Sequence, residues 1–340
     1  MKFSAFWLPG LDIQMGKKCA KEAERLGYSY LWTFEQPNLL DVFTEAVVLS
    51  TVTKKIKIGP ASVSPYFRHP AMIAAAAQSL DKISNGRAVL GIAAGARSGL
   101  RKLGLMYDDP VMRLRETIEV VKMMFTGNEV NYKGKTIILD KFQFLWAKGR
   151  DIPVYASVFG PKMLEMAGEV ADAVMVQHCP PAYIDTVNEM LKKGAERKKR
   201  NIENMDISLH IEAFINEDYD EAMRIARTWF PLIAGGISRL RALLEKCGCT
   251  RNEIKTVQQD TSTLPKDIID KILRNISIIG SIDDCIRKIK EYEDHGVRNM
   301  QINCVDREAY EWTKGNIDLL QGIELIGKEA IPEFNTHEKR

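Results

Sequence analysis

The stretch Ile58-Gly59-Pro60-Ala61-Ser62-Val63-Ser64-Pro65 is an apolar run that breaks into small residues, and a helical pattern opens just beyond it at Pro70. The same grammar recurs in Gly86-Arg87-Ala88-Val89-Leu90-Gly91-Ile92-Ala93-Ala94-Gly95 and in Val154-Tyr155-Ala156-Ser157-Val158-Phe159-Gly160-Pro161-Lys162. Small residues at the end of a strand let a ligand approach the backbone closely. Three such ends, spaced like successive βα loops of one barrel, would face a common mouth. They would suit a large, flat, phosphorylated cofactor.

The rest of the chain keeps this rhythm. Apolar runs over residues 3–8, 28–33, 55–61, 88–93, 152–157, 173–177, 207–214 and 297–303 read as strands. Between them, helical patterns cover 14–26 (stopped by Gly27), 42–53, 70–83, 110–125, 162–169, 182–199 and 281–294, with Ser281 as a plausible N-cap. Strands alternating with helices predict a parallel sheet joined by right-handed crossovers. Two stretches break the alternation: a hairpin region at about 128–148, turning at Lys133-Gly134, and a helical region at about 218–279. Eight strands with two insertions describe a (β/α)8 TIM barrel, one α/β domain over residues 1–340. Its functional groups should gather at the C-terminal ends of the strands.

Composition narrows the class. Hydrophobic residues make up 45% of the 340, enough for a large core and against disorder. A net charge of +3 with no arginine stripe gives no sign of nucleic acid as a partner. The cluster Arg197-Lys198-Lys199-Arg200 closes a helical pattern and reads as a solvated helix end. No apolar stretch approaches the roughly 20 residues that span a bilayer. No signal peptide is visible, and the six cysteines are scattered apart from Cys247 and Cys249, so reduced thiols in a cytoplasmic protein are expected, with no metal site.

A family resemblance rests on a series of motifs. In chain order they are Gly59-Pro60, Tyr66-Phe67-Arg68-His69-Pro70, Ser84-Asn85-Gly86-Arg87, Leu90-Gly91-Ile92-Ala93-Ala94-Gly95, Gly160-Pro161-Lys162-Met163-Leu164, Ala167-Gly168-Glu169 and Ala171-Asp172. Together they resemble the bacterial luciferase-like superfamily, in particular its branch that uses the deazaflavin coenzyme F420, and within that branch the methylenetetrahydromethanopterin reductases. The resemblance implies an oxidoreductase that moves a hydride between coenzyme F420 and a carbon substrate, with a tetrahydromethanopterin derivative as the substrate it points to. FMN, with monooxygenase chemistry, is the alternative cofactor. A non-catalytic cofactor-binding paralogue is a third reading. A homo-oligomer is expected by the same analogy.

Site residues follow from motif and chemistry. The residues Ser157, Val158, Phe159, Gly160 and Lys162 lead into a helix start, where free backbone amides can hold a phosphate without a side-chain charge. At the end of the third strand, the resemblance implies a non-prolyl cis peptide between Ala61 and Ser62, with Val63 beside it, under the middle ring of the cofactor. After the fourth strand, Gly95 is followed by Ala96 and Arg97, where relatives often carry an acid. Arg97 would suit an anionic tail, or else is an exposed arginine. The reductase branch places an Asp-His pair after the second strand, and this chain has Glu35 and Gln36 there. Glu35 would be a proton donor if burial raised its pKa, and Gln36 would orient the substrate. His178 follows the sixth strand and would face the same mouth, as would His69 at a helix start. Trp7, Trp32 and Phe159 read as wall or core residues.

Overall fold

The computed structural model describes residues 1–7, 12–238, 240–306 and 319–334; Leu8, which the sequence puts at the end of the first strand, lies outside them. The first half runs β1 (Lys2–Trp7), α1 (Ile13–Arg25), β2 (Tyr30–Thr33), α2 (Val42–Ser50), β3 (Lys57–Pro60), α3 (Pro70–Ile83), β4 (Leu90–Ala93), a short α4 (Arg97–Lys102) and α5 (Pro110–Phe125). A hairpin of β5 (Val130–Lys133) and β6 (Ile138–Phe142) follows. The second half runs β7 (Val154–Ser157), α6 (Pro161–Val170), β8 (Ala173–Gln177), α7 (Pro181–Arg197) and β9 (Asp206–Ile215). Four helices come next: α8 (Tyr219–Ile237), α9 (Arg241–Lys246), α10 (Arg251–Gln259) and α11 (Lys266–Ile276). The chain then forms β10 (Ile278–Gly280), α12 (Ile282–Asp294), β11 (Asn299–Cys304) and a C-terminal helix from Leu319–Leu325.

These elements form a (β/α)8 barrel. The parallel strands pair in the order β3-β2-β1-β11-β9-β8-β7-β4. The parallel bridges Ile58↔Ala88 and Val63↔Ile92 join β3 to β4 and close the ring. Local chemistry sets the helix starts. Asp12 accepts from the Gln14 amide, Pro70 opens α3, and Ser281 with Asp284 forms a capping box for α12. In the hairpin the turn closes where the Gly134 amide bonds to the Ile137 carbonyl, and both arms lie within the 128–148 region that the sequence marks out. Two elements were not anticipated: α4, and the three-residue β10, which pairs with the far end of β9 at Ala213–Ile215.

Most apolar side chains lie between the strands and the helices. A second cluster fills the lower interior of the ring. Tyr30 stacks on Trp32, Tyr155 meets Trp32 edge-on, and Trp32 is fully buried. The bottom loops are tied by single side chains. The Glu24 carboxylate accepts from the amides of Lys54, Lys55 and Ile56. The Arg87 guanidinium reaches the carbonyls of Ser50, Thr53, Ile56 and Ser84. On the outer layer, α6 and α7 pack backbone to backbone. A Cβ on Gly194 would stand 1.8 Å from the Glu165 carbonyl oxygen, and one on Gly168 would stand 2.1 Å from that of Leu191. The basic cluster after α7 is partly engaged in this contact. Arg197 pairs with Glu165 and Glu169, and Arg200 donates to the carbonyls of Gly168 and Ala171. Among the described residues no helix is long and apolar enough to cross a membrane.

Candidate active site

Above the aromatic plug the ring opens into a cavity of about 300 Å³ at the C-terminal ends of the strands. This is the low end of the range for small-molecule sites. Its walls come from Phe6 on β1, Phe34 after β2, Ala61 after β3, and Trp229, Leu232 and Ile233 on α8. The first helix of the second insertion therefore covers one side of the mouth. Leu232 remains half exposed there, while Leu243 and Leu244 are buried.

The polar lining is set by strand pairing. In a strand, successive side chains point to opposite faces, so residues two apart share one. His210 pairs in register with Gln177 on one side and Gln301 on the other, and Glu212 pairs with Asn303. All five, with Gln36 and His178, face the cavity. His178 adopts a left-handed backbone (φ 48°), uncommon for a residue with a Cβ, and its amide bonds to the His210 carbonyl. Its Nδ1 lies 2.8 Å from Glu212 Oε2, out of line for a hydrogen bond. His210 Nε2 donates to Glu212 Oε1 at 3.2 Å. Burial alone would raise the Glu212 pKa, but the two imidazoles outweigh it and hold the carboxyl well below the usual range.

Of the residues singled out by sequence, Gln36, Ala61 and His178 line the cavity. Glu35 does not. Its carboxylate accepts from the Ser64 amide (2.9 Å) and from Arg68 Nε (2.6 Å). Arg68 also pairs with Asp41, which caps α2, and lies over the Phe43 ring. Burial pushes the Glu35 carboxyl above its ordinary value despite the pull of Arg68 and the Ser64 amide. The peptide bond between Ala61 and Ser62 is cis. Val63 is buried and pairs with Ile92. Gly95, at φ 79°, packs against the Ser64 hydroxyl, and Ala96 precedes α4 without a side-chain cap. Arg97 is exposed and lies over the Tyr107 ring. His69 is exposed and caps α3 through Nδ1.

Ser157 ends β7, in register with Ala93 and with the cavity residue Met175. The Val158 amide bonds to the Met175 carbonyl. Phe159 is half-buried, and Lys162 is exposed on the first turn of α6. Gly160 takes a positive φ of 76° there, and no side chain caps the helix. These residues, with Gly95 to Arg97, sit at the same end of the barrel but outside the cavity lining.

Sequence reasoning missed His210, Glu212, Gln301 and Asn303. Their signal was present: Ser208, His210 and Glu212, and likewise Asn299, Gln301 and Asn303, alternate with apolar residues in strands buried on both faces. Polar groups at period two in such a strand must point into the barrel.

The lining suits a flat heterocycle. Apolar side chains can cover its faces. The carboxamides of Gln36, Gln177, Gln301 and Asn303 offer both donors and acceptors to a carbonyl-bearing edge. Beside Ala61, β3 and β4 pack with no room for another side chain, since a Cβ on Gly91 would stand 2.7 Å from the Pro60 carbonyl oxygen. A deazaflavin ring system fits these features, and the uncapped start of α6 fits its phosphate.

Comparison with known proteins agrees. A family model described as luciferase-like monooxygenase matches residues 1–299. The chain is 28% identical over 343 aligned positions to a 5,10-methylenetetrahydromethanopterin reductase of Archaeoglobus fulgidus, covering 98% of this chain and 100% of that one. It is 27% identical to an F420-dependent glucose-6-phosphate dehydrogenase of Amycolatopsis mediterranei, with 81% of each covered. The solved coenzyme F420 dependent tetrahydromethanopterin reductase from Methanopyrus kandleri superposes with a TM-score of 0.83 at 25% identity, covering 98% of this chain and 99% of that one.

Proposed function

Since the chain belongs to the luciferase-like monooxygenase family, we propose that it is a coenzyme F420-dependent oxidoreductase that reduces a one-carbon unit carried on a tetrahydromethanopterin-type pterin. The observation that carries this reading is the mouth cavity, with apolar faces and carboxamide edges, next to an uncapped helix start. Two relatives with different substrates are named for F420 dependence or for the pterin reductase reaction, which supports the cofactor and the hydride chemistry together.

The coenzyme, when bound, supplies a hydride from its central ring. The protein's part is to bind, orient and exclude water. The segment Ala61, Ser62 and Val63 would lie beneath the ring system. Ser157 and Val158, beside the cavity rather than in its lining, would flank the cofactor, and the amides of Lys162 and Met163 would hold the phosphate, with Lys162 and Arg97 lending positive charge to an acidic tail. Gln36 and Asn303 would orient the substrate. Glu35 is a positioning residue in this reading: it fixes Ser64 and hence the segment under the ring. Phe6, Phe34 and Trp229 would keep water from the reacting carbon. Assembly with further copies of the same chain belongs to this proposal, and sedimentation would test it.

The test has two steps. Absorption spectra of the protein mixed with F420 and with FMN should show binding of F420. Reduced F420 should then be oxidised when methylenetetrahydromethanopterin is added. Binding of FMN but not F420 would overturn the cofactor assignment, and F420 binding without hydride exchange to the pterin would overturn the substrate assignment.

A further inference from the structure

Glu212 is buried, and both its oxygens are contacted by imidazoles: His178 Nδ1 at 2.8 Å and His210 Nε2 at 3.2 Å. The three are the only titratable side chains among the described lining residues. Every other described residue that lines the cavity, from β1, β8, β11, α8 and the segments after β2 and β3, is uncharged. A buried carboxylate is stabilised in its charged form by a compensating positive charge beside it. Among the described lining residues only the imidazoles can provide that charge, so a charged Glu212 calls for a proton on one of its two partners. A charged Glu212 thus places a proton on an imidazole at the edge of the cavity. Glu35 has no comparable access, because its carboxylate is turned away to Arg68 and Ser64.

We propose that His178, Glu212 and His210 form the proton-handling centre of this site, and that the proton the substrate takes up comes from an imidazole of this trio. The proposal rests on the function proposed above. Reducing an N–CH2–N unit to N–CH3 requires a hydride on the carbon and a proton on the nitrogen that departs. The C–N bond to that nitrogen breaks as the nitrogen takes the imidazole proton. The carbon gains the hydride, and the coenzyme is oxidised by two electrons. One hydride and one proton leave the reduced coenzyme per turnover, so the proton lent by the trio is restored. Glu212 holds the imidazolium before transfer and orients both rings. The depressed Glu212 pKa agrees, since it keeps the carboxylate from taking the proton itself.

Two measurements test the trio. In coenzyme-free protein, the imidazole NMR signals of His178 and His210 should titrate as a coupled pair with two shared steps, and in Glu212→Gln each should titrate alone. In the loaded enzyme, Glu212→Gln should lower kcat about 100-fold or more and change its pH profile, with KM and F420 affinity within about threefold. Glu212→Asp should restore part of kcat. Independent titration in the wild type, or a Glu212→Gln enzyme with an unchanged kcat and pH profile, would overturn the proposal. If Glu212→Gln fails to fold, His178→Gln and His210→Gln carry the same kcat and pH comparison, and the wild-type titration stands alone. A wild-type protein that binds F420 yet ignores the pterin would sink only the substrate assignment, and the NMR titration would still decide for or against the trio.

Discussion

Replacing Glu35 separates a positioning role from a chemical one. Its carboxylate receives one buried backbone amide, from Ser64, and one guanidinium, from Arg68. In Glu35→Ala the Ser64 amide loses its acceptor, and leaving a buried donor unpaired costs about 1–3 kcal/mol. Arg68 keeps Asp41 as a partner, so no uncompensated charge remains. The expected total for Glu35→Ala is about 2–3 kcal/mol. Glu35→Gln keeps an oxygen for Ser64. The raised carboxyl shows that the folded state gains little from the negative charge, so this variant should lose no more than about 1 kcal/mol. The sign with pH is fixed by the same shift. The margin of wild type over Glu35→Gln should be largest below the ordinary carboxyl value of 4.5 and should shrink as pH rises through the raised one. Urea unfolding followed by tryptophan fluorescence reads these differences, and steady-state oxidation of reduced F420 reads turnover. Glu35→Gln should turn over within about threefold of wild type. A fall of about 100-fold in its kcat with stability intact would refute the reasoning and make Glu35 the proton source.

Other expectations are as direct. Glu212→Gln should flatten the acid limb of stability: the depressed Glu212 carboxyl stabilises the wild type above 4.5, and that contribution is lost as pH falls toward its folded value, as acid titration of unfolding will show. Gly194→Ala drives a Cβ into the Glu165 carbonyl and should destabilise by about 3 kcal/mol, visible as a lowered Tm with the F420 spectrum unchanged. Glu116→Ala removes the acceptor of the Lys135, Thr136 and Ile137 amides, and hydrogen exchange should speed up in the hairpin turn while turnover stays the same.

Much of the fold was legible because a parallel barrel repeats one local rule. Each strand is a short run of apolar residues, most helices are amphipathic, and Pro70, Pro110 and Ser281 mark helix starts that the structure keeps. β10 escaped because three residues after a helix carry no periodicity, and their strand conformation depends on the edge of β9. The site was half legible. Ala61, Gly95 and Gly160 announce themselves by size. Glu212 and His210 do not, because their meaning depends on a neighbour more than thirty residues away, His178, brought alongside by strand register. Glu35 was read as a proton donor without its partner, because Arg68 lies beyond the next strand and sequence alone does not pair them.

The ties made by Glu24 and Arg87 have an evolutionary corollary. They fasten the connections at the base of the barrel with a handful of side-chain contacts to main-chain atoms, far from any reacting group. Loops at the opposite rim can then diverge without unravelling the scaffold. Libraries that randomise the upper loops and spare Glu24 and Arg87 should therefore yield folded variants with new substrate preferences.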